Sequence, residues 1–428
     1  MRYNEMKNSD IPWIGEVPIS WNTERSKNLF VRMNRPVDPD DEVITCFRDG
    51  QVTLRKNRRI DGFTESLKEI GYQGIRPGDL VIHQMDAFAG AIGVSDSKGK
   101  GTPVYICLQP KNNVFNEYYA YLLRTMAETG YIKALYRGIR ERSSDFRFET
   151  LATQVLPVPP LAEQEAIAAY LDEKCAVIDE IIQQAKVTIE EYKEWKASVI
   201  FEAVTKGLDP DAEMKDSGVQ WIGMIPKGWN VRKLKWMTSK ITDGSHFSPE
   251  TVDDGYAYIT AKDVNGIGLK YQDAKKISSD AFEELQKTGC RPVAGDVLLV
   301  KDGATTGRVG LMIDNEPCVI LSSVAILRPA SSVKSRYLMY MAMSDVLQFQ
   351  IRKTMAGSAM PRTTLSKLVD YEVVFCPPSE QSVIVDYLDN NCEKIDNIID
   401  EKQKLIDELE AYKKSLIFET VTGKRGVC

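Results

Sequence analysis

Residues 159–205, PPLAEQEAIAAYLDEKCAVIDEIIQQAKVTIEEYKEWKASVIFEAVT, and residues 377–422, PPSEQSVIVDYLDNNCEKIDNIIDEKQKLIDELEAYKKSLIFETVT, are two copies of one passage. After the opening Pro-Pro neither copy contains a glycine or proline, and Glu-Gln opens the first turn of each. Both therefore read as uninterrupted helices, which at 1.5 Å per residue span roughly 60 Å. Apolar positions alternate by three and four. They are Leu171, Cys175, Ile178, Ile182, Ala185, Ile189, Tyr192 and Val199 in the first copy, and Leu388, Cys392, Ile395, Ile399, Ile406, Leu409 and Leu416 in the second. This is a heptad seam with flaws at Lys196, Lys402 and Lys413. Neither helix can bury such a stripe alone. The economical partner for one is the other; the alternative is that each packs on its own globular domain.

A second repeat accompanies the first. MKNSDIPWIGEVPISWN (6–22) and MKDSGVQWIGMIPKGWN (214–230) keep Met, Lys, Ser, Trp-Ile-Gly, Pro and Trp-Asn in register. A period this long is not that of a solenoid, whose units run roughly 20–50 residues. It indicates a duplicated half-molecule, and so a ligand with two places to bind. The layout is an N-terminal box at 1–22, a variable domain at 23–157, a long helix at 158–208, a second box at 209–230, a second variable domain at 231–376 and a last helix at 377–428. The variable domains differ in sequence, yet each carries a Gly-Asp followed by an apolar strand and a glycine-rich turn: RPGDLVIHQMDAFAGAIGV and VAGDVLLVKDGATTGRVGL. Short strands dominate both, with a helix at NEYYAYLLRTMAETGYIKALY late in the first. The fold class expected is α+β, with constant scaffolding carrying two different recognition surfaces.

Charge distribution bears on the ligand. The net charge is −6, but residues 163–206 carry −5 and residues 380–425 carry −4, leaving the rest at +3. The acidity sits on the helices, so a low global pI does not exclude nucleic acid. No apolar run reaches the roughly 20 residues of a membrane helix, and MRYNEMKNSD lacks a signal-peptide core, so a cytoplasmic protein without membrane contact is expected. Eight cysteines without a C-x-x-C pair, and two histidines, point to buried thiols in a reducing compartment and to no metal site.

Catalytic motifs are missing. There is no G-x-x-x-x-G-K-[ST] loop, no G-x-S-x-G elbow, no H-E-x-x-H helix, no adenosylmethionine-binding glycine loop and no Asn-Pro-Pro-aromatic box. Binding chemistry is better represented. TLRKNRRIDG places Arg55, Lys56, Arg58 and Arg59 together, a density suited to phosphates or guanine edges, or to a solvated loop. RGIRERSSDFR adds Arg140 and Arg142. In the second variable domain, TDGSHFSP sets Asp243, Gly244, Ser245 and His246 in a turn-rich loop that is recognition or framework. Lys262, Lys301, Thr305, Thr306, Arg308 and Arg362 fall near strand ends or turns, where side chains can reach into a groove.

In its order of repeated parts the chain resembles the specificity (S) subunit of type I restriction-modification systems. The resemblance rests on the two WIG…P…W boxes, the two PP…EQ openings, the helix ends SVIFEAVT and SLIFETVT, the DGSH loop and the GDLVI and GDVLLV strands. It implies two target-recognition domains joined by two long antiparallel helices forming a coiled coil, in a circular pseudo-twofold arrangement. It also implies a non-catalytic chain whose domains each read half of a bipartite, asymmetric site in double-stranded DNA, with the helices as a ruler. Two methyltransferase (M) and two restriction (R) subunits would dock on it, and S-adenosylmethionine, ATP and Mg would bind those partners. The remaining readings are a non-DNA coiled-coil scaffold bridging protein partners, and a nuclease with an unrecognised site.

Overall fold

The computed structural model describes residues 3, 5–58, 70–135, 146–355 and 361–427. Two compact units divide the chain, one formed by residues 1–185 and 404–428 and the other by residues 186–403. No helix among the described residues is long and apolar enough to cross a membrane.

In the first unit, β1 (Phe30–Met33), β2 (Leu80–His83), β3 (Ile92–Val94) and β4 (Tyr105–Pro110) form an antiparallel sheet in the order β1-β4-β2-β3. Leu80 stands opposite Leu108, and both are fully buried. The sheet is covered by α1 (Asn116–Glu128). The sequence pattern extends this helix to Tyr136, but the chain breaks at Gly130, whose φ of 77° lies in the left-handed region, and a short helix, Tyr131–Ala134, follows. The long helix α2 (Leu161–Lys206) starts in this unit.

The second unit repeats the plan. Strands β5 (Thr238–Asp243), β6 (Val297–Val300), β7 (Val309–Leu311) and β8 (Val324–Pro329) take the order β5-β8-β6-β7, and Gly266–Ile267 adds a short parallel edge to β7. Helix α3 (Ser335–Met343) occupies the place of α1, and α4 (Pro378–Val421) that of α2. The two Gly-Asp turns are built alike. Gly78 and Gly295 take φ of 84° and 90°. The buried carboxylates of Asp79 and Asp296 accept from the backbone N–H groups of Arg76 and Val293. Each carboxylate also takes two nitrogens of an arginine, Arg35 in one unit and Arg328 in the other. Arg35 lies in the loop after β1 whereas Arg328 lies on β8, so the same buried charge is neutralised by two routes.

Each unit contains the start of one long helix and the end of the other. In the first, Lys413 on α4 pairs with Asp179 on α2 at 2.6 Å, and Arg425 beyond α4 bonds Tyr170 on α2. In the second, Lys196 on α2 pairs with Asp396 on α4 at 2.6 Å. Within each unit the helices run antiparallel. Lys196 and Lys413, which interrupt the apolar pattern, thus each pair with an aspartate of the opposite helix within their own unit. Leu171, Ile178, Ile182, Ile189, Leu388, Ile395 and Ile406 are buried, and Ile399 is half-buried. The seven described cysteines are free and buried, and burial pushes the Cys107, Cys318 and Cys376 thiols up to about 12.

Candidate nucleic-acid interface

The repeated motifs build one device twice. Trp21 and Trp229, both buried, donate from Nε1 to Glu163 at 3.0 Å and to Glu380 at 2.8 Å. Gln164 and Gln381 are fully buried and use their amides fully. Gln164 Oε1 accepts from Phe115 N, and its Nε2 donates to Asn113 O and Pro159 O. Gln381 Oε1 accepts from Lys334 N, and its Nε2 donates to Ser332 O and Cys376 O. Tyr121 and Tyr340 reach about two turns further along the long helices, donating to Asp172 and Asp389 at 2.7 Å each. The variable domain of each unit is therefore stapled to the first turns of a long helix by the box tryptophan, the glutamine and a tyrosine. Asn22–Arg25 pairs with Val155–Val158, and Asn230–Lys233 with Glu372–Phe375, closing each domain where the helix begins. The Glu-Gln openings are visible in the sequence, but the glutamine's stapling role is not.

On these frames sit unlike loops. In the second unit the end of β5, the loop after β6 and the segment around Arg362 converge. His246 Nε2 lies 3.4 Å from Asp243 Oδ2, which lies 3.3 Å from Lys301 Nζ. Lys301 donates to Asp302 Oδ2 at 2.9 Å, and Asp302 Oδ1 pairs with Arg362 Nε at 2.9 Å. Lys301 is only 2% exposed, so it does not reach into a groove as its position between strand and turn suggests. It holds two carboxylates whose outer partners, His246 and Arg362, are exposed. Asp302 escapes the sequence reading because an acid in Lys-Asp-Gly looks like ordinary turn chemistry.

The backbone under the cluster is fixed. Ser245 N donates to Ile320 O and Ser322 N to Ser245 O. Gly244 leaves no room for a side chain, since a Cβ would lie 2.0 Å from Ile320 O. The buried Ser245 hydroxyl bonds Phe247 N and O, leaving the Phe247 ring exposed. Thr306 Oγ1 donates to Gly303 O and Pro361 O, and Thr305 O accepts from Arg308 N. Arg308 is half-buried and Lys262 exposed.

The first unit gathers a different set. Arg55, Lys56 and Asn57 form a single 3-10 turn after Val52–Leu54. Arg55 Nε bonds Thr45 Oγ1 at 3.4 Å, Lys56 pairs with Glu42 at 2.6 Å, and Arg58 pairs with Asp49 at 2.7 Å while lying over the Phe47 ring. Arg48 pairs with Asp86 at 2.8 Å. Asp86 N donates to His83 Nδ1, and burial lowers the His83 pKa, which keeps that ring neutral. Arg59, Arg140 and Arg142 lie outside the described residues.

A family model described as the type I restriction modification DNA specificity domain matches residues 75–191 and 226–411. Among curated relatives, the type I restriction enzyme MjaVIII specificity subunit of Methanocaldococcus jannaschii is 23% identical over 82% of this chain and 80% of its own length. The putative MjaX specificity subunit of the same organism is 23% identical over 96% and 95%. Among solved structures, a chain from a study of complex assembly and conformational transition of the type I R-M system superposes with a TM-score of 0.68, at 16% identity, over 95% of this chain and 98% of that one. The matched family residues fall in both units and cover the Gly-Asp strands and most of both long helices. The chain belongs to the family of type I restriction-modification specificity subunits, the non-catalytic, DNA-specifying members of those systems.

Proposed function

We propose that this chain addresses a bipartite, asymmetric DNA target, reading one half with the loops of the first unit and the other with the loops of the second. The observation that carries this reading is the same frame built twice with unlike loops. The Trp–Glu and Gln staples recur residue for residue, while the loop chemistry changes from an Arg55–Arg58 turn to a network in which buried Lys301 and its aspartates support exposed His246 and Arg362. Two sites on one chain raise affinity through effective concentration, so neither half needs to bind strongly alone. On this reading the long helices set the unread spacer and form the platform for two M and two R subunits in the cytoplasm. S-adenosylmethionine, ATP and Mg belong to those partners. The recognition domains correspond to residues 23–157 and 231–376.

The direct test is a genome-wide N6-methyladenine map of the host with and without the gene, with the M subunit expressed in both. Loss of one motif, two short specific halves around a fixed gap, is the expected result. An unchanged map overturns the reading. Arg58→Ala, or Arg142→Ala, should relax only the half read by the first unit, and Arg308→Ala only the other, each by about 1–3 kcal/mol per affected base pair. Equal relaxation of both halves would sink the assignment of units to half-sites.

A further inference from the structure

One arginine in the second unit is exposed yet held at its backbone and at Nε. Its backbone is pinned opposite Asp302: Gly303 N donates to Pro361 O at 3.0 Å and Thr363 N to Lys301 O at 2.8 Å. Thr306 Oγ1 adds a further bond to Pro361 O. The guanidinium is fixed at Nε by Asp302, although the side chain is 60% exposed. Among the described residues neither terminal nitrogen of Arg362 has a partner. Behind Asp302 stands the buried ammonium of Lys301, which Asp243 also faces. The desolvation cost of a buried ion pair can offset its Coulombic gain, so stability is a poor reason to bury a lysine between two carboxylates. What the arrangement achieves is orientation of a side chain that otherwise samples many rotamers.

A guanidinium held at Nε offers Nη1 and Nη2 as a fork of two donors. The fork matches two adjacent acceptors, and of the base edges in the major groove only guanine presents such a pair, O6 and N7. Adenine pairs its acceptor with a donor, cytosine offers a donor, and thymine an acceptor beside a methyl group. By contrast, Arg58 in the first unit already spends a terminal nitrogen on Asp49. We propose that Arg362 reads a guanine in the half-site of the second unit, with Asp302 and Lys301 as positioning residues. This rests on the DNA-reading function proposed above.

The experiment uses the chain assembled with its M subunits and a duplex carrying the motif found by methylation mapping. Each guanine of the second unit's half-site, on either strand, is replaced in turn by 7-deazaguanine, which lacks the N7 acceptor. For the unsubstituted chain, affinity should fall on the order of 10-fold at one guanine and little elsewhere. Arg362→Ala should bind the natural duplex about 10- to 100-fold more weakly and become indifferent to 7-deazaguanine at that position. Lys301→Met, with a thermal melt to verify folding, should weaken discrimination at the same guanine more than binding to nonspecific DNA. A phosphate contact predicts a different outcome, weakening on all duplexes alike and a salt dependence shallower by about one ion, and this would overturn the proposal. A half-site without guanine, or a 7-deazaguanine effect that persists in Arg362→Ala, would also overturn it. If the assembled complex shows no bipartite preference, the underlying DNA-reading function falls as well. If the preference is present and no guanine couples to Arg362, only this inference falls.

Discussion

Gln381→Leu is expected to lower the stability of the second unit by about 3 kcal/mol, and Gln164→Leu that of the first by a similar amount. Leucine fills the volume but leaves Lys334 N without an acceptor, and Ser332 O and Cys376 O without their donor, at a site with no solvent access. A buried donor or acceptor left unpaired costs about 1–3 kcal/mol, which outweighs the modest net value of the bond itself. For a unit of roughly 200 residues this corresponds to a drop in Tm of about 6–12 °C. Calorimetry on the full chain checks it, and a shift below about 2 °C would mean that water or backbone adjustment replaces the lost bonds. Gln381→Glu sharpens the test. It sets a carboxylate oxygen against two carbonyls where a donor stood, so burial and repulsion hold its folded pKa above the unfolded one. Its deficit should therefore be smallest below the unfolded carboxyl pKa and grow as pH rises through neutrality, whereas the Gln381→Leu deficit carries no such pH dependence of its own.

The reason for writing the same passage twice lies in these contacts. Trp21 and Trp229 need Glu163 and Glu380, and the buried glutamines need the segments 113–115 and 332–334 that precede α1 and α3. Box, recognition domain and helix start form one interlocked joint in each unit. Loops beyond the joint are free to differ, which would let one scaffold carry the two specificities proposed.

The long helices were legible because an apolar period of three and four over forty residues without glycine or proline has few other meanings. The lysines in the seam were not. Lys196 and Lys413 look like flaws until Asp396 and Asp179, some two hundred residues away, are seen opposite them. Sheet order was hidden for a related reason: strands of three to six residues carry too little periodicity to reveal their partners. In the candidate site, charge and loop position pick out Lys301 and Arg362 alike. Only the fold separates them, burying the first as a support and exposing the second. Asp49, Asp86 and Asp302, which hold the exposed arginines, read as turn residues because their partners come from other loops.

If the long helices set the spacer as proposed, the seam pairs determine how that spacer can be changed. Asp179 faces Lys413 in one unit and Lys196 faces Asp396 in the other; the paired numbers have the same sum, so the proposed ruler needs a single antiparallel register to satisfy both. A heptad inserted after Ala185 alone would slide α2 against α4 and break one of those pairs. A heptad after Ala185 together with one after Lys402 restores both, because the inserted stretches face each other or the flanking seam. The paired insertion is expected to move the preferred spacer of the DNA target by about three base pairs, since seven residues add about 10 Å and a base pair about 3.4 Å. A heptad turns the apolar seam by only about 20°, whereas three base pairs turn the duplex by roughly 100°. The lengthened site should therefore be bound more weakly than the native site is by the unmodified chain, with the loss taken up in DNA twist. Selection from duplexes with randomised gaps reads the result. An unchanged gap would show that something other than helix length sets the spacing, and a single insertion performing as well as the pair would show that the seam register does not matter.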